Sequence, residues 1–178
     1  MKLLQRAFRL LRRIFSGKGT EESKQDFPPT FYRGISFETD IDAGAYLKAS
    51  AFQFGEIPVD REDGNRELSI VWNDCEDSLL TLLQQRNKKG TAPQFACGYA
   101  TIRLSKFQDM VISYITGNLV KYERKPIKED VDRGVKANPY HGNILLHKTA
   151  SDQIKKNVQH SLATIAEFSR RPDSNSNY

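Results

Sequence analysis

Three side chains with the chemistry to bind an anion or move a proton are spread along this chain. Arg33 and Ser69 lie in two apolar stretches, and His141 follows the dipeptide Asn138-Pro139. A guanidinium binds carboxylate or phosphate oxygens in a fixed fork, and an imidazole changes charge near neutral pH. If the strands that carry them are neighbours, these residues predict a small anion-binding pocket, in which Tyr140 is a further candidate ligand-binding residue. If chemistry follows binding, Arg33, Ser69 and His141 are the candidate catalytic residues.

The same residues also have a structural interpretation. Arg33 could pair with a carboxylate across a sheet, Ser69 could face a polar sheet edge, and His141 could cap a strand. Most single histidines are structural or solvated, so this interpretation stays open beside the functional one.

The segment around His141 is the densest group of conformationally special residues. Pro139 fixes its own φ and favours an extended Asn138, and Gly142 permits backbone angles that other residues resist. The run Ile144-Leu145-Leu146 then predicts a short buried strand. We therefore expect His141 to lie in a turn that leads into a core strand.

No metal site is predicted. His141 and His147 are six residues apart across a turn and a strand, and no cluster of carboxylates or cysteines completes a site. Cys75 and Cys97 do not form a paired ligand motif and are interpreted as two buried free thiols in a reducing compartment.

Short strands alternating with helices predict an α+β domain, with a mixed sheet of about five or six short strands and three or four helices. Gly98 is expected to mark a close backbone approach. The interval 106–118 fits a helix or a hairpin, and we favour the helix. Strands are predicted at 31–35, 52–54, 67–72, within 95–104, at 119–125 and 144–146, and helices from Thr39, from Asn73, and from Ser151 to about residue 171.

The basic charge is concentrated at the N-terminus. Residues 1–18 contain six of the 27 basic residues and none of the 22 acidic ones, so the rest of the chain holds 21 basic against 22 acidic side chains. The spacing within residues 1–15 predicts an amphipathic helix with an apolar face and an arginine face. Its candidate partner- or membrane-binding residues are Leu4, Arg6, Phe8, Arg9, Leu11, Arg12, Arg13, Ile14 and Phe15.

A helix of this kind has several possible partners. At 1.5 Å per residue it is about 20 Å long, too short to cross a bilayer. It could lie on an anionic membrane surface, dock in a groove of a partner protein, or pack on its own domain. Nucleic acid is less favoured, because the rest of the chain offers no basic face and no clear aromatic platform.

The chain divides into four parts: the helix at 1–15, a linker at 16–30, a globular domain at 31–171 and a disordered tail at 172–178. We expect a cytoplasmic protein, located at the inner face of the membrane if the helix binds lipid.

Two resemblances follow from these motifs. Phe31-Tyr32-Arg33-Gly34 and Leu68-Ser69-Ile70 resemble the ADP-ribosyltransferase-like folds, including the toxin group named for its Arg, Glu and Ser. That resemblance implies NAD as a cofactor, with Arg33 on its phosphates. Over about 31–165, the order Tyr32-Arg33, Glu67-Leu68-Ser69-Ile70 and Asn138-Pro139-Tyr140-His141 resembles a group of small bacterial proteins, which implies a compact bacterial domain and no particular activity.

These observations favour a non-enzymatic accessory or adaptor protein of a bacterial multi-protein system. Its basic helix would recruit it to a partner or a membrane surface, and it would need no cofactor. The alternative is an NAD-using ADP-ribosyltransferase-like enzyme or toxin.

Overall fold

A computed structural model describes residues 26–56, 63–87, 89–131 and 135–172. Within these residues the chain forms one six-stranded sheet and three α-helices, so the predicted α+β class is confirmed. The strands are β1 (Thr30–Ile35), β2 (Arg66–Trp72), β3 (Gly98–Arg103), β4 (Val120–Arg124), β5 (His141–Leu146) and β6 (Glu167–Arg170). The helices are α1 (Glu76–Gln84), α2 (Leu104–Thr116) and α3 (Asp152–Ile165). The predicted N-terminal helix lies outside the described residues.

The strand order is β4-β5-β2-β1-β3-β6, and every neighbouring pair is antiparallel. The mixed sheet expected from the sequence is therefore wrong in strand direction. Two of the five pairs, β1 with β2 and β4 with β5, are consecutive in the chain, and the chain reverses direction between their strands, which gives antiparallel pairing.

The core lies on the face of the sheet that α2 and α3 cover. Alternate residues of adjacent strands, such as Phe31, Trp72 and Ile144, point to this face and are at most 1% exposed. They join Phe107 of α2 and Leu162 of α3 in one hydrophobic cluster. In β3 buried residues alternate with more exposed ones, which fixes which face of that strand meets the core.

The interval 106–118 is helical, which confirms the choice of helix over hairpin: α2 runs from Leu104 to Thr116. Helix α1 begins after Cys75 rather than at Asn73. The hydroxyl of Ser78 accepts hydrogen bonds from the backbone N–H groups of Asp74 at 3.1 Å and Cys75 at 3.2 Å. A side chain three residues into the helix thus satisfies amides at its start.

The helix predicted from Thr39 does not form. The chain makes two short 3-10 helices, Glu38–Asp40 and Ala49–Phe52, separated by a turn. In that turn the Asp42 carboxylate accepts hydrogen bonds from the N–H groups of Gly44 and Tyr46, both at 2.9 Å. An aspartate bonded to its own local backbone competes with helix formation. Phe52, predicted in a strand, is fully buried in the second 3-10 helix.

The last helix is shorter than expected. It ends at Ile165, and residues predicted to continue it form β6, which pairs with β3 at the sheet edge. Gly98, where β3 meets β6, has φ +145°, and a Cβ there would overlap the carbonyl oxygen of Ser169. The predicted close approach is therefore confirmed. Of the predicted tail, Pro172 is described and 173–178 lie outside the described residues.

The chain packs onto the domain before the expected boundary at residue 31. The ring of Phe27 lies 4.8 Å from the rings of both Trp72 and Tyr122. Arg124 donates a hydrogen bond to the carbonyl oxygen of Asp26 at 3.3 Å and lies over the Phe27 ring. The end of the predicted linker is thus held against the sheet.

Candidate functional site

The central strands β1 and β2 are paired at one end and separated at the other. Their regular pairing covers Phe31 with Trp72 and Tyr32 with Val71. Beyond it, the carbonyl of Ser69 accepts from Arg33 Nη1 at 2.9 Å, and the carbonyl of Glu67 accepts from the backbone N–H of Gly55 at 2.9 Å. These donors replace the missing strand partners and leave a gap in the middle of the sheet.

Arg33 extends into this gap from the core side. Strand alternation places it on the same face as Phe31 and Ile35. Its Nε also donates to the carbonyl of Ala51 at 3.5 Å, and its Nη2 has no acceptor among the described residues. Burial lowers the pKa of Arg33 to about 10, with Asp40 opposing the shift. Both of its hydrogen-bond acceptors among the described residues are neutral carbonyls.

A small cavity of about 30 Å3 opens at the gap. It brings together Arg33, Ser69 and His141, the three candidate catalytic residues, which come from β1, β2 and β5. Its lining residues are Tyr32, Arg33, Gly34, Ser69, Ile70, Val71, Leu82, Gln85, Phe95 and His141.

His141 lies in β5 rather than in a turn before it, paired with Val71. Its Nδ1 is 2.7 Å from the carbonyl oxygen of Lys125, so Nδ1 carries the proton that this hydrogen bond needs. Burial lowers the pKa of His141, and the hydrogen bond to Lys125 only partly offsets it. A neutral imidazole whose Nε2 has no partner in the described part of the chain therefore faces the cavity.

Three neutral polar side chains complete the lining. Tyr32, Ser69 and Gln85 make no side-chain hydrogen bond to another described residue. The Tyr32 ring packs edge-on against Tyr99 at 5.8 Å, and burial raises the pKa of Tyr32. The cavity therefore combines one cation with four neutral groups that can hydrogen-bond, and no carboxylate lines it.

Tyr140, the remaining candidate ligand-binding residue, is not in the cavity. Its hydroxyl is 3.3 Å from the sulfur of Cys75, and this contact lowers the pKa of the Cys75 thiol. Cys75 and Cys97 are both free, and Cys97 is buried, but Cys75 is exposed, which corrects the expectation of two buried thiols.

Sequence patterns did not indicate that Leu82, Gln85 and Phe95 would line the cavity. They come from α1 and from the loop after it, where the Gln94 N–H bonds the Gln85 carbonyl at 2.9 Å. Phe95 lies directly over Gly34, where a Cβ would overlap its ring. The glycine after Arg33 was the one local signal that another group packs closely there.

A polar residue near the cavity was also missed. Asn143 is fully buried and is paired with Ser69 across β2 and β5. Its Nδ2 is 3.4 Å from the Glu123 carboxylate, and its Oδ1 has no hydrogen-bond partner. A buried amide oxygen without a partner is costly and is normally satisfied by a donor such as water.

The predicted partner-binding residues of the N-terminal helix, from Leu4 to Phe15, lie outside the described residues. In the described part of the chain, no helix has the length and apolar character to cross a membrane. Within the same ranges, no group of three or more His, Cys, Asp or Glu side chains could hold a metal ion.

Comparison with protein-family models, with curated proteins and with solved structures finds no match to this chain. The function is therefore inferred from the chain's own residues.

Proposed function

We propose that this protein is a non-enzymatic accessory or adaptor protein, recruited to a partner protein or an anionic membrane surface by its basic N-terminal segment. The observation that carries the proposal is the charge separation: residues 1–18 hold six basic and no acidic side chains, while the rest of the chain is almost neutral. A segment of that composition with helical apolar spacing has the character of an attachment helix.

The described domain is compatible with this role because its residues form one hydrophobic cluster. That cluster includes residues from β1 to β5, α2 and α3, and Phe27 packs against its edge. Residues 1–25 thus join a domain at a point that Phe27 and Arg124 hold in place.

The test compares two charge-reversal variants. Arg9, Arg12 and Arg13 are replaced together by glutamate in one protein, and the exposed lysines Lys106, Lys121 and Lys156 in the matched control. We expect the arginine variant to lose flotation with anionic liposomes or capture of the native partner, and the lysine variant to keep it. Equal binding by both variants and by a protein lacking residues 1–18 would overturn the proposal.

A third variant separates lipid or protein docking from nucleic-acid binding. Phe8→Ser with Phe15→Ser removes apolar area but keeps every charge. Binding to an apolar groove or a bilayer interface should fall, since each buried aromatic contributes about 2 kcal/mol. Unchanged binding by this variant, with loss in the arginine variant, would indicate a phosphate backbone as the target instead.

The second candidate is an NAD-using ADP-ribosyltransferase-like enzyme, favoured by the convergence of Arg33, Ser69 and His141 on one cavity. Two features weigh against it. Two guanidinium nitrogens of Arg33 already bond backbone carbonyls, and about 30 Å3 is far below the roughly 300 Å3 at which small-molecule sites begin.

Incubation of the full chain with NAD distinguishes the two functions. We expect no NAD consumption, alone or with a captured partner. Turnover that is abolished in Ser69→Ala and His141→Gln would establish the enzyme.

A further inference from the structure

We propose that the cavity between β1 and β2 binds the carboxylate group of a small, singly charged organic acid. This site is independent of recruitment through the N-terminal segment. The features that favour a carboxylate are the charge of Arg33, the neutral polar groups around it, and the size and apolar wall of the cavity.

Arg33 brings a positive charge to the cavity. Arg33 and Ser69 both line the cavity, and Nη1 of Arg33 donates a hydrogen bond to the Ser69 carbonyl. The guanidinium therefore lies at the edge of the cavity. Its Nη2 has no acceptor among the described residues, and none of the described carboxylates forms an ion pair with it. A largely buried cation without a contacting anion is stabilised by an anion supplied from solution.

The charges of the lining residues match a ligand with one negative charge. Arg33 is the one cation among the lining residues, and His141 is neutral because burial disfavours its charged form. One positive charge matches a monoanion, whereas a phosphate dianion would bring a second charge with no partner. Since Nε and Nη1 of Arg33 already bond carbonyls, Nη2 is the nitrogen left to donate a charge-assisted hydrogen bond to one carboxylate oxygen.

The size of the cavity and its other lining residues fit a carboxylate group with a short apolar tail. A volume of about 30 Å3 holds the centres of about two water molecules, which is the space for two carboxylate oxygens. Ser69, Gln85 and Tyr32 can donate to those oxygens. Leu82 and Phe95 form an apolar wall, which suits a short alkyl or aromatic tail.

The test is a titration of the full-length, isotope-labelled protein with butyrate or benzoate, followed by NMR of the backbone amides. We expect saturable shifts at residues 32–34, 69–71, 85 and 141, with inorganic phosphate at least tenfold weaker. Ser69→Ala and Gln85→Ala each remove one neutral donor and keep the backbone, so each should weaken butyrate binding several-fold.

Thr101→Ala is the matched control, since Thr101 lies on the adjacent strand β3 outside the cavity lining. It should bind butyrate as the wild type does. No saturable shift with either acid, shifts confined to other parts of the domain, or phosphate binding as tight as butyrate binding would each overturn the proposal.

Discussion

Gly142 shows how closely single residues determine this fold. The Trp72 indole crosses directly over it, and Trp72 Nε1 donates to the carbonyl of Glu123 at 3.2 Å. A Cβ at Gly142 would overlap both the indole nitrogen and that carbonyl oxygen. The indole could move only by breaking its hydrogen bond and displacing a fully buried ring.

Gly142→Ala is therefore expected to destabilise the protein by about 2–4 kcal/mol, from steric overlap and the lost hydrogen bond. Urea unfolding followed by fluorescence measures this, because Trp72 is the single tryptophan. Gly55→Ala is the control: its nearest contact would be the Glu67 carbonyl oxygen at an ordinary 3.7 Å. Equal stability of the two variants would contradict the packing described here.

His141 gives the domain a defined response to acid. Its pKa is 6.5 in an unfolded chain and lower in the folded one, because burial disfavours the imidazolium. Below pH 6.5 the unfolded chain binds a proton on His141 more readily than the folded protein does. The free energy of unfolding therefore falls as the pH is lowered from 6.5 to the pKa of His141 in the folded protein. His141→Gln should remove this part of the pH dependence in urea unfolding between pH 7.5 and 5.5. The same substitution at the exposed His160 should leave the His141 contribution in place.

Arg33 shows what the sequence could and could not predict at this scale. Its position on the first strand follows from the pattern of apolar runs and is what the structure shows. Its meeting with Ser69 and His141 depended on which strands are neighbours, and the pattern left that open. The use of its guanidinium does not follow from that pattern. It bonds the Ser69 and Ala51 carbonyls because the regular pairing of β1 with β2 stops after two residue pairs, which no local sequence pattern predicts.

The helices and strands that can be predicted from the sequence are those whose ends are marked by capping residues. Helix α3 begins where Ser151 and Asp152 indicate it, and the Ser151 hydroxyl accepts from the Ile154 N–H at 3.3 Å. Strand β6 has no such local signal. Its four residues are compatible with helix, and its strand form comes from pairing with β3, about 70 residues earlier in the chain.

The cap of α3 can be tested by substitution. Ser151→Ala should lower stability by about 1 kcal/mol, because the first-turn amide of Ile154 loses its acceptor. Ser151→Asp keeps an acceptor and adds a favourable charge at the helix N-terminus, so it should match or exceed the wild type. Thermal unfolding of the three proteins makes the comparison, and an unchanged midpoint in Ser151→Ala would show that the cap contributes nothing.

At the scale of the whole molecule, the point of attachment between the N-terminal segment and the domain is Phe27. Its ring packs against the rings of Trp72 and Tyr122. Arg124 donates a hydrogen bond to the Asp26 carbonyl and also forms an ion pair with Asp74, in which Nη2 of Arg124 lies 2.6 Å from Oδ1 of Asp74. If residues 1–25 serve attachment, the domain should be stable without them. Because Phe27 packs on the sheet, residues 26–29 should contribute to the stability of the domain.

Two truncations separate these requirements. Removal of residues 1–25 should change the free energy of unfolding by no more than about 0.5 kcal/mol, the usual range for changes away from packed contacts. Removal of residues 1–29 should cost about 2 kcal/mol or more, because it takes away the Phe27 ring and the Pro29 carbonyl that accepts from Leu104 at 2.8 Å. Phe27→Ala in the full chain should reproduce most of that loss. If removing residues 1–25 alone destabilised the protein as much as the longer truncation, the basic segment would be part of the folded domain, and attachment to another molecule would not be its role.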